Sequence, residues 1–260
     1  MSLSTLTVGS SSVRVWRAGP STGTPVVYLH GFEHHPGDAA FLDQLAESRH
    51  VIAPEHPGYG GSSGTTVLED VVDVALHYRA LVESLDLAEV DVIGHCLGGM
   101  FAAEFAAMCP DLVRRLILVN AFGLWLPGSD PLDPFALSEE RLLAAKWHDP
   151  AAAPDKEPSI GLADPDDPYA APLTKAQNLA TATRFMWPIP DRGLSKRLRF
   201  VRARTLIIHG VADQLVPLTH AQAFAAEIPD ASLLPVVDAG HVPMFEKESE
   251  FIEAVQSFLT

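Results

Sequence analysis

Cys96 stands in the run Gly94-His95-Cys96-Leu97-Gly98-Gly99, after a short apolar segment and ahead of one with helical spacing. In a strand–turn–helix corner of this kind the middle residue is held in a strained conformation, its side chain exposed above a sheet. The positions two before and two after must be small because backbone segments crowd there; Gly94 and Gly98 meet that demand. A thiol displayed in this way is a nucleophile once it has lost its proton. The same run also suits a small buried hydrophobe in a glycine-rich turn. Two further residues have types that would complete nucleophilic chemistry. Asp213 lies in Ile207-Ile-His-Gly-Val-Ala-Asp213-Gln-Leu-Val216-Pro217, and His241 in Asp238-Ala-Gly-His241-Val-Pro-Met-Phe245-Glu246. Taken singly they read as a turn former and a loop histidine.

Together the three segments resemble the α/β-hydrolase superfamily. Gly94–Gly98 is similar to its nucleophile elbow, usually G-x-S-x-G, with cysteine in the serine position. Asp213 falls where that superfamily places its acid, and His241 falls in the loop that presents its base. The chain order nucleophile, acid, base is also the superfamily's. The resemblance implies a Cys96-His241-Asp213 triad. His241 would take the thiol proton, and Asp213 would fix the imidazole tautomer and stabilise its charge. It also implies an oxyanion hole from the backbone N–H groups of Leu97 and Phe32, the latter in His30-Gly31-Phe32. Glu55-His56-Pro57-Gly58-Tyr59-Gly60-Gly61-Ser62 matches D-x-P-G-x-G-x-S except for glutamate at its head, which implies a structural turn beside the entrance. Cysteine at the elbow occurs natively in dienelactone hydrolases of this fold, and an engineered serine replacement would look the same.

The elements that must position these residues follow from patterning. Residues 1–18 alternate about Gly9-Ser10-Ser11-Ser12 and read as a hairpin. Continuous apolar runs at 25–29, 50–53, 90–93, 116–119, 205–208 and 231–237 read as strands buried on both faces. Helical spacing occupies 38–48, 67–85, 97–108, 218–227 and 244–259. The expectation is an α/β fold with a doubly wound, mostly parallel eight-stranded sheet flanked by helices. Residues 1–120 and 191–260 form the core. Residues 121–190 hold no convincing strand, three glycines and 11 of the 21 prolines, and read as an inserted helical lid.

Composition narrows the function. Thirty-three acidic against 18 basic residues give a formal charge of −15, which repels a phosphate backbone, so no nucleic-acid partner is expected. No leader-like start or membrane-length apolar run occurs, and two cysteines fit a reducing compartment; a soluble, cytoplasmic protein is expected. Neither H-E-x-x-H nor G-x-G-x-x-G occurs, so neither metal nor other cofactor is expected. Cys109 is assigned to core packing, and the seven Arg/Lys from Arg184 to Arg204 to a solvated face.

The expected pocket includes His30, Gly31, Glu33, His95 and Val216, with Trp125, Trp147 and Trp187 as apolar walls from the lid. For Glu33, His34 and His35 an exposed polar loop is the favoured reading. The expected activity is hydrolysis of a small to medium, largely apolar ester, lactone or thioester through an acyl-enzyme on Cys96. Alternatives are a C–C bond hydrolase of β-diketone type, an acyltransferase, or a non-catalytic small-ligand binder with a vestigial triad.

Overall fold

The computed structural model describes residues 1–64, 66, 68–153 and 169–260. Residues 154–168, within the stretch expected to be an inserted lid, lie outside the described residues. Eight strands form one sheet: β1 Ser2–Val8, β2 Ser11–Ala18, β3 Val26–Leu29, β4 Val51–Pro54, β5 Val90–His95, β6 Val113–Val119, β7 Arg204–Gly210 and β8 Ala231–Val236. Their order is β1-β2-β4-β3-β5-β6-β7-β8. The β1–β2 hairpin and the β2–β4 pair are antiparallel, and every later pairing is parallel.

Unbroken apolar runs become central strands because each face is covered. Val27 and Leu29, Val92, Leu116 and Leu118 pack into one layer, with α2 (Val71–Ser84), α3 (Leu97–Met108) and α7 (Leu218–Glu227). Val26 and Tyr28, Ile93, Ile117 and Val119 pack into the other, with α1 (Ala40–Ala46) and α9 (Glu248–Leu259). Alternation with period two thus places neighbouring residues in opposite cores. The Asp70 carboxylate starts α2 by accepting the N–H groups of Val72 and Asp73 at 2.8 and 3.1 Å. The helix expected over 244–259 divides into α8 (Pro243–Glu246) and α9, with the break at Lys247, whose φ −130° and ψ 51° are not helical. The basic stretch is not wholly solvated: from α6 (Leu194–Arg197), Arg197 grips the buried Glu104 carboxylate through Nε and Nη2, both at 2.6 Å. Cys109 is buried in the first core, as expected.

Between the ends of β6 and β7 the chain builds α4 (Glu139–Lys146) and α5 (Ala170–Met186). The crossing at Gly98 positions everything above the sheet. A Cβ there would lie 2.2 Å from the Leu29 carbonyl oxygen and 2.5 Å from that of His30. Gly98→Ala should therefore destabilise the fold by about 3 kcal/mol, lowering the thermal midpoint by about 6–12 °C. An unchanged midpoint in a thermal melt would show that α3 need not approach β3 so closely.

Candidate active site

Cys96 occupies the corner between β5 and α3 at φ 57° and ψ −117°, a conformation costly for any residue with a Cβ. Hydrogen bonds over-determine it. Its N–H donates to the Val119 carbonyl at 3.0 Å, and its own carbonyl accepts the N–H groups of Gly99, Met100 and Phe122 at 3.0–3.2 Å. The residue lines a partly open cavity of about 390 Å³, counting its mouth, together with Gly31, Phe32, Glu33, His95, Lys146 and His241.

His241 arrives on the loop after β8, and its Nδ1 lies 2.8 Å from Asp213 Oδ2. A carboxylate only accepts, so Nδ1 carries a proton. Nε2 is buried and meets no partner of full hydrogen-bond geometry among the described residues. Burial works against a charge on this ring, but Asp213 and then Cys96 outweigh it and hold its pKa up to about 10. Burial conversely opposes ionisation of Asp213, and the charge and hydrogen bond of His241 overcome it, keeping the carboxyl below its ordinary range. Asp213 also accepts from Asn120 Nδ2 at 2.7 Å and from the N–H groups of Leu215 and Val216 at 2.8 and 3.1 Å. An anion with this many donors in a buried site is fixed in place.

Leu97 contributes the first N–H of α3, and Phe32 lines the cavity beside Cys96; neither N–H donates to an acceptor among the described residues. Backbone N–H groups beside a cysteine would suit the negative oxygen formed were a carbonyl attacked there. The arrangement can hold a thiolate against an imidazolium, receive an acyl group on sulfur, and return a proton to a leaving group.

The remaining sequence candidates divide in two. Gly31, Glu33 and His95 line the cavity. A Cβ on Gly31 would stand 3.0 Å from His95 Nδ1 and 3.4 Å from Cys96 Cβ, so no side chain fits there without displacement. His95 stays uncharged, with burial and then His241 lowering its pKa to about 3, and its Nε2 lies 2.9 Å from the His241 carbonyl. His30 lies behind the cavity: its Nε2 accepts the His56 N–H at 2.9 Å, and its ring stacks on His56 at 3.7 Å. Val216 serves Asp213 through its backbone.

None of the three tryptophans lines the Cys96 cavity itself. Trp147 is buried and stacks on Phe245 at 6.4 Å. Trp125 and Trp187 line a separate groove with Phe122, Phe135 and Met186. Of the loop expected to be exposed, His35 is buried and stacks on Trp16 at 4.1 Å, while Glu33 pairs with Lys146. Glu55 anchors its turn, accepting the N–H groups of Gly61 and Ser62 at 3.0 Å.

Sequence patterning marks neither Asn120 nor Lys146. An asparagine after a strand reads as a turn, and a lysine ending a polar helix reads as solvated; neither pattern signals its long-range partner.

The sequence profile of the Alpha/beta hydrolase family matches residues 26–254, nearly the whole length that carries this site. The chain belongs to that family. Among relatives of this alpha/beta hydrolase, the 2-hydroxymuconate semialdehyde hydrolase of Pseudomonas sp. (strain CF600) is 29% identical over 257 residues, covering 91% of this chain and 87% of its own. Lipase 3 of Moraxella sp. (strain TA144) is 25% identical over 269 residues, covering 99% and 84%. The crystal structure of a meta-cleavage product hydrolase, CumD, superposes with a TM-score of 0.78 at 19% identity, covering 98% of this chain and 97% of that one. The eight-stranded, mostly parallel sheet flanked by helices is thus the fold of the family. No helix among the described residues is long and apolar enough to cross a membrane.

Proposed function

We propose that this alpha/beta hydrolase cleaves small to medium carboxylic esters, lactones or thioesters through an acyl-enzyme on Cys96. The observation that carries this reading is the strained Cys96 corner sharing one cavity with His241, whose far nitrogen is held by Asp213 at 2.8 Å. Cys96 Sγ attacks the carbonyl carbon as a thiolate, its proton resting on His241. The N–H groups of Phe32 and Leu97 hold the oxyanion. Collapse breaks the bond to the leaving group, which takes the proton from His241 and leaves a thioester on sulfur. Water, deprotonated by His241, then attacks that thioester and releases the acid and the thiolate.

The insert, residues 121–190, acts as the cap, and its groove receives the apolar part of the substrate. Phe122, shared by groove and site, meets the His241 ring at 5.9 Å, and Phe135 meets Phe32 at 6.0 Å. A second reading, hydrolysis of a C–C bond in a β-diketone type substrate, draws on the similarity to the 2-hydroxymuconate semialdehyde hydrolase.

Iodoacetamide should label Cys96 faster than Cys109, whose thiol burial pushes upward in pKa. Turnover of p-nitrophenyl acetate should fall in step with Cys96 labelling. Full labelling with activity retained would rule out the sulfur mechanism. Product analysis with ester, thioester and β-diketone substrates, with and without an added alcohol acceptor, separates ester hydrolysis from C–C cleavage and from acyl transfer.

A further inference from the structure

Lys146 ends α4, inside the insert, yet its side chain is only 6% exposed. A lysine is withdrawn from water at a cost that only close partners offset. Its Nζ donates to Glu33 Oε2. Glu33 directly follows Phe32, and both line the cavity with Cys96 and His241. Burial opposes a charge on Glu33, and Lys146, helped by His34 and His241, overcomes it and keeps the carboxyl below its ordinary range. The pair is therefore ionic and faces the reacting groups.

The backbone of the same residue reaches the opposite wall. The Lys146 carbonyl accepts the His241 N–H at 2.6 Å. Its neighbour Ala145 accepts the N–H of Gln214, next to Asp213, at 3.1 Å. The contact is close enough that a Cβ on Gly240 would lie 2.4 Å from the Lys146 oxygen. A further brace joins the same elements: Glu246 accepts the Gly240 N–H at 2.6 Å and the His148 N–H at 2.7 Å. One turn of the insert thus touches the loops of the proposed acid, base and oxyanion donor.

We propose that Lys146 is a positioning residue, its carbonyl holding the His241 loop while its ammonium holds Glu33, and with it the Phe32 N–H, at a fixed separation across Cys96. The inference rests on the roles proposed above for Phe32, Cys96 and His241. In consequence the active site is assembled only when α4 is docked.

The test uses Lys146→Met, Lys146→Arg, Glu33→Gln and the Lys146→Met/Glu33→Gln double variant with p-nitrophenyl acetate, rates normalised to titrated Cys96 thiol. Lys146→Met and Glu33→Gln should each lower kcat at least tenfold and move KM less than threefold. The double variant should be no worse than the poorer single one, because both act through one contact. Lys146→Arg, which keeps a cation for Glu33, should recover most of kcat. Unchanged kcat in either single variant, single effects that multiply in the double, or a loss explained by the unfolded fraction would overturn the proposal. If Lys146→Met does not fold, Glu33→Gln carries the same criterion alone. If the parent turns over no ester, the functional reading fails separately; the clamp is then overturned should Lys146→Met leave the iodoacetamide rate of Cys96 unchanged, and supported should that rate drop at least tenfold.

Discussion

Replacing Cys96 by alanine is expected to lower kcat/KM for a reactive ester by about 10⁴-fold or more, the scale on which a nucleophile's loss is felt in such sites. The change is sterically mild. Cys96 and Ala both carry a Cβ, so the strained φ of 57° and the hydrogen bonds about the corner persist. The thermal midpoint should therefore move by only a few degrees while activity collapses, which separates loss of chemistry from loss of fold. Cys96→Ser sharpens the result. A hydroxyl fits the corner but does not give up its proton to a resting histidine as a thiol does, so every attack must begin with proton transfer to His241. The serine variant should fall about 10²-fold below the parent yet exceed the alanine variant. A serine variant faster than the parent would mean that the site is built for oxygen and that sulfur is the intruder. Equal rates for all three chains would remove Cys96 from the mechanism.

Legibility in the sequence followed the range of the interaction. The strand at 116–119 is apolar on both faces, and only a covered sheet accommodates that pattern. The elbow was equally plain because its glycines answer a local steric demand: at Gly94 a Cβ would meet the Gly98 carbonyl at 2.3 Å. Residues 121–190 stand apart in the sequence by their prolines and their lack of apolar runs, but their packing is not legible there in detail. Trp125, Trp147 and Trp187 share a residue type, and only the docking of the insert sends one into the core and two into the groove. Asn120 and Lys146 were invisible for a related reason. Their partners Asp213 and Glu33 lie 93 and 113 positions away, and nothing in the intervening chain encodes the meeting. The cysteine at 96 shows the opposite limit. Its place is legible, whereas what the charges of Asp213 and His241 do beside it is not.

That electrostatic question is answered by Asp213→Asn. The amide keeps the size of the carboxylate and can accept at its carbonyl oxygen, so the loop after β7 retains its contacts to Leu215 and Val216. What disappears is the charge that, with Cys96, holds the His241 pKa up to about 10 against burial. Without it burial dominates, and the imidazole gives up its proton well below pH 10. Turnover at pH 7 should fall by about 10³–10⁴-fold, the range found when such an aspartate loses its charge. In the parent an imidazolium faces Cys96 across pH 6 to 9, so iodoacetamide labelling at pH 6 should be faster than in the variant. In the variant, labelling should be slow at pH 6 and climb with pH, hydroxide now doing what the imidazolium did. Stability carries the same signature. A histidine whose pKa is raised in the folded chain contributes stability in full below its ordinary value of 6.5, and that contribution fades as pH rises towards 10. Between pH 7 and 10 the parent should thus lose more of its thermal midpoint than Asp213→Asn does. A pH-independent labelling rate in the variant would show that Asp213 does not control the proton on His241. The acid would then be a structural residue of the β7 turn, and the base would have to work without it.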